Sequence, residues 1–109
     1  MNEQDRHLIA SLKQRILAAC PQELRKLIVF GSRARGAGTP ESDLDVAVLV
    51  TRRTPELERR LDDIAYALMW DYDFRPIISL KIMAEADFLA GVQKGFSFYC
   101  NVAREGLAA

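Results

Sequence analysis

The chain has 109 residues, half of them apolar and 28% charged, with fifteen basic residues cancelling fifteen acidic ones. That length suits one hydrophobic core and predicts a single domain over residues 1–109. The composition excludes intrinsic disorder, and the cancelled charge removes the overall positive field that generic nucleic-acid binding needs.

From Glu3 to Ala19, Leu8, Leu12 and Ile16 recur at helical spacing with Ile9 and Leu17 beside them, predicting an amphipathic helix that Pro21 stops. His7 falls on its polar side. Leu27 to Phe30 is a short apolar run ended by Gly31, and Leu44 to Val50 is a second; both have the length of buried strands. A connection rich in Gly, Ser and Arg joins them. Thr54, Pro55 and Glu56 read as N-cap, first helical position and first-turn acid, and Leu57, Leu61, Ile64 and Leu68 then keep the spacing of a helix packed on a sheet. The mixed charges from Arg52 to Asp63 are its solvated face. Pro76 to Met83 predicts a third strand, with the proline where a missing N–H is tolerated. Two helical pieces follow, Ala84 to Ala90 and Phe96 to Glu105, separated by Gly91 and Gly95. The aromatic residues Trp70, Tyr72, Phe88, Phe96, Phe98 and Tyr99 are expected to cap the core. This order implies an α/β (α+β) sandwich with helices packed on a sheet.

No apolar run approaches the ~20 residues that span a bilayer, and the polar start MNEQDRH does not resemble a secretory leader. A cytoplasmic chain without membrane contact is expected. Cys20 and Cys100 are far apart with only His7 for company, so they read as reduced thiols and not as zinc or redox ligands.

The chemistry concentrates in Gly31-Ser32-Arg33-Ala34-Arg35-Gly36 and in Ser42-Asp43-Leu44-Asp45. Gly31 ends a strand, where a tight turn lets backbone amides approach a ligand, and Ser32 adds a hydroxyl before a short helical turn. Such a turn favours a phosphate, with Arg33 and Arg35 as candidate cations; for each, a structural role weighs as much as a substrate role. Asp43 and Asp45 are two apart, so strand alternation turns both to one face while Leu44 and Val46 turn to the other. Two like charges there cost stability unless a cation compensates. Mg²⁺ suits that place, because it takes one or two protein carboxylates together with substrate phosphates.

The stretch resembles the G-S-x-A-R-G-x(5)-S-D-[LI]-D signature of the nucleotidyltransferases of the DNA polymerase β superfamily, and the length and element order resemble its minimal members, with residues 98–106 similar to their final helix. The resemblance implies a mixed sheet of three to four strands and transfer of a nucleoside monophosphate, AMP from ATP being the first expectation. It implies metal ligation and catalysis by Asp43 and Asp45 with two Mg²⁺ ions, and nucleotide binding by Gly31, Ser32, Arg35, Gly36 and Ser42. It further implies the antitoxin role in a toxin–antitoxin pair, with a HEPN-type toxin as partner and acceptor; self-association stays open. Active members place a third carboxylate on the next strand, whereas residues 75–83 contain no acid; Asp71, Asp73, Ser79 and Lys81 are the candidates near that position. The competing reading is a weakly active or inactive module that binds nucleotide or a partner protein.

Overall fold

The computed structural model describes residues 1–109. Its elements run α1 (Glu3–Ala19), β1 (Leu24–Phe30), α2 (Gly31–Ala34), β2 (Leu44–Val50), α3 (Pro55–Asp71), β3 (Ile78–Ala84), α4 (Glu85–Gln93), α5 (Ser97–Glu105) and β4 (Leu107–Ala108). The two long helices begin where local chemistry dictates. The Asn2 side chain accepts the Asp5 N–H at 2.7 Å, and Thr54 Oγ1 accepts the Leu57 N–H at 3.1 Å, each satisfying a first-turn donor that the helix cannot.

The sheet order is β3-β2-β1-β4, with β1 antiparallel to both β2 and β4 and β2 parallel to β3. A parallel pair needs a crossover, and α3 supplies it. Side chains alternate along β2, which divides the core into two layers. Leu44, Val46, Val48 and Val50 join Leu8, Leu12 and Ile16 of α1 and Leu57, Leu61 and Leu68 of α3. Ala47 and Leu49 face the other way, onto Phe88 of α4 and Val102 of α5. Each fully buried Leu, Ile or Val contributes about 1.5–3 kcal/mol against leaving it in water, so the first, larger layer dominates stability.

Several expectations are corrected. Strand β1 starts at Leu24, three residues before the apolar run; its first half contains one register irregularity and the exposed Arg25 and Lys26, which carry no apolar signal. Gly91 lies inside α4 and is buried there, since the Tyr99 ring occupies the space a Cβ would need. Leu17 is 40% exposed, and Ala65 completes the buried stripe of α3 while Ile64 is only half-buried. Trp70, Phe96 and Phe98 are 62%, 54% and 40% exposed, so they do not cap the core, whereas Phe88 does. His7 is exposed, and both cysteines are free thiols. No helix is long and apolar enough to cross a membrane.

Candidate active site

Strands β1 and β2 meet at Phe30 and Asp45, and β2 meets β3 at Asp45 and Ser79. Cα partners on adjacent strands turn their side chains to the same face. Phe30, Asp45 and Ser79 therefore form one row across the sheet, and Ile28, Ala47 and Lys81 the next. Leu44 and Val46 point the opposite way and are fully buried, as the alternation predicts. Asp43 lies one residue before the strand and is exposed, while Asp45 is half-buried.

Gly31 has φ +80°, and a Cβ placed on it would overlap Asp45 Oδ2. Glycine is required there twice, for the left-handed backbone and for the approach of the carboxylate. The turn that follows is closed by the N–H groups of Arg35, Gly36 and Ala37, which donate to the carbonyls of Gly31, Arg33 and Ser32 at 3.2, 3.2 and 2.9 Å. The fold thus sets the glycine-serine turn directly against Asp45. Ser32 is half-buried in that turn, and Gly36, with φ +74°, leads the chain out of it.

The two arginines separate cleanly. Arg33 is turned inward, only 9% exposed, with Nη1 3.1 and 3.3 Å from the carboxylate oxygens of Asp5, itself 2% exposed. Its Nε donates to Ser42 O at 2.8 Å and its Nη2 to Pro40 O at 3.1 Å. Arg33 is therefore a clamp that ties α1 to the segment just before Asp43, and its charge is spent on Asp5. Gly38 packs against the Arg33 backbone and Cγ, where a Cβ would come within 2.9 Å. Arg35 is half-exposed and reaches Glu105 of α5 at 3.7 Å. The Ser42 hydroxyl accepts the Thr39 N–H at 3.0 Å, so it shapes the loop ahead of Asp43.

Burial first, then the neighbouring Asp43 charge, raise the Asp45 carboxyl above the ordinary aspartate range, and the Lys81 ammonium partly offsets them. Two carboxylates that repel, one half-buried and one open to solvent, are hard oxygen donors for Mg²⁺ if water and phosphate complete its shell. No group of three or more His, Cys, Asp and Glu side chains forms a closed cage. Asp71 pairs with Arg15 at 2.8 Å, and Asp73 lines a cavity of about 640 Å³ with Asn2, Gln4, Thr39 and Arg75. That cavity includes none of Gly31, Ser32, Asp43 and Asp45; the charge chemistry, not the volume, marks the site. A smaller cavity of about 200 Å³ does reach it, lined by Gly31 and Arg35 with Phe98, Asn101 and Glu105 of α5. Sequence reasoning missed Asp5, because an acid in a first helical turn looks like an ordinary dipole partner. It also missed Asn101 and Glu105, which carry no local signal.

A mixed sheet that sets Asp45, with Asp43 two residues before it, beside a glycine-serine turn is the arrangement expected of a small nucleotidyltransferase. The chain matches the family model for the nucleotidyltransferase domain over residues 9–94. It is 36% identical over 78 residues to the Methanocaldococcus jannaschii protein named "Putative protein adenylyltransferase MJ0141", covering 68% of this chain and 78% of that protein. The chain belongs to the nucleotidyltransferase family as a minimal member of the polymerase β superfamily, and it is a transferase.

Proposed function

We propose that the chain transfers AMP from ATP to a hydroxyl group of a protein, and that the acceptor is a HEPN-type toxin for which it serves as antitoxin. The observation that carries the transfer reading is the Asp45 carboxylate packed against Gly31, which supports a metal ligand beside a turn suited to phosphate. The protein acceptor draws on the printed name of the M. jannaschii relative, and the toxin partner on the family resemblance.

Asp43 and Asp45 would hold Mg²⁺ together with the triphosphate, and when bound the ion supplies neutralising charge to the phosphates. The Gly31-Ser32 turn binds and orients the β- and γ-phosphates, and Arg35 reaches them on leaving Glu105. The acceptor oxygen then bonds to the α-phosphorus as the bond to the β-phosphate oxygen breaks. Pyrophosphate leaves, and the acceptor proton passes to water. Positioning and charge stabilisation carry such a transfer, with no covalent protein intermediate.

Incubation with α-³²P-labelled ATP, Mg²⁺ and the cognate HEPN-type protein tests this. Label on the partner, lost in Asp45→Ala, is the expected result. A second reading, a module that binds nucleotide without turnover, draws support from Ser79, a neutral residue directly beside Asp45. An unlabelled partner in an intact, tight complex would select it.

A further inference from the structure

Lys81 is exposed at the centre of β3 and enters none of the five ion pairs of the chain. Its side chain leaves the sheet on the Asp45 face, in the row next to Asp45 and Ser79. Diagonal neighbours on adjacent strands lie about 7–8 Å apart, a spacing that long side chains bridge. The other group flanking Asp45 on this side, the Ser79 hydroxyl, is neutral.

This donor set bears on how many cations the site accepts. Paired metal ions stand only about 3.5–4 Å apart, so they repel strongly and depend on anionic ligands between and around them. Here the protein adds only two carboxylates to the oxygens that a triphosphate would bring, and a fixed ammonium adds to the repulsion. Asp43, Asp45 and Lys81 by themselves sum to a single negative charge, so before nucleotide binds these three groups balance less than one divalent ion. Lysine suits the remaining task, since its compact ammonium has three rotatable donors and binds phosphate as a point charge.

We propose that the site holds one divalent cation, on Asp43 and Asp45, and that the Lys81 ammonium is the second fixed positive charge, facing the phosphoryl group being transferred. This rests on the nucleotide-transfer reading above. The Lys81 ammonium stabilises charge that builds on the non-bridging oxygens, while the acceptor oxygen bonds to the α-phosphorus and pyrophosphate departs. A lysine in an edge strand also discourages edge-to-edge pairing. That role alone predicts no effect on metal binding, so metal binding is the quantity to measure.

Mn²⁺ binding to the full chain, followed by electron paramagnetic resonance, tests the proposal. With adenosine 5′-(α,β-methylene)triphosphate present, the ternary complex should hold one ion per chain. Without nucleotide, Lys81→Ala should bind Mn²⁺ about tenfold more tightly than the parent, the effect of removing one unit charge at roughly 6 Å from a divalent ion in water. Lys81→Arg, which keeps the charge, should stay near the parent. Two ions per parent chain, or parental Mn²⁺ affinity in Lys81→Ala, overturns the proposal. If Asp43→Asn/Asp45→Asn binds Mn²⁺ and nucleotide as the parent does, the transfer reading itself falls, and this inference with it.

Discussion

Replacing Asp5 by alanine leaves the Arg33 guanidinium in the protein interior without its counter-charge. Asp5 and Arg33 are 2% and 9% exposed, so water cannot take the lost partner's place. Removing one member of a buried pair costs about 3–5 kcal/mol, because the other charge stays desolvated. Arg33 keeps its bonds to Ser42 O and Pro40 O, which places Asp5→Ala near the lower end, about 3 kcal/mol. Arg33→Ala should cost more, about 5 kcal/mol, since the Asp5 carboxylate has no other side-chain donor and two loop carbonyls lose theirs. Urea unfolding measures both, and at about 4–8 °C per kcal/mol for a domain of this size Asp5→Ala should lower Tm by roughly 15 °C. The double variant should cost no more than Arg33→Ala alone, a coupling of about 3 kcal/mol. Additive losses, or an Asp5→Ala cost below about 1 kcal/mol, the level of an exposed ion pair, would refute the clamp.

Two further outcomes follow from the same geometry. Gly31→Ala must hold a left-handed φ and push its Cβ into the Asp45 carboxylate, so it should lose about 1–3 kcal/mol in urea unfolding and weaken Mg²⁺ binding in calorimetry together. Asp45 has a raised pKa in the folded chain, so the folded state binds protons more readily than the unfolded one, and stability falls as pH rises from the ordinary value of 3.8 through the folded value. Asp45→Asn should therefore be the more stable protein at pH 7, with its advantage shrinking towards pH 3.8, and Mg²⁺ should raise the Tm of the parent alone; a less stable Asp45→Asn at pH 7 contradicts the assignment.

The sequence by itself determined whatever depends on near neighbours. The spans of α1 and β2 and the start of α3 follow from the apolar spacing, Thr54 and Pro55, because caps and periodicity act within a few residues. The glycine-serine turn and the opposite facing of Leu44 and Asp45 are local in the same way. The two arginines show where this stops: they are two residues apart in one polar loop, and either could face a phosphate. Only the tertiary structure sends Arg33 inward to Asp5, 28 residues earlier, and Arg35 outward to Glu105. Likewise β3 has no acid to announce its part in the site, and it was the parallel register with β2 that put Ser79 beside Asp45 and Lys81 in the next row. Parallel pairing across a helical crossover, like ion pairing over tens of residues, depends on which surfaces meet once the core has formed, and no short window of sequence contains both partners.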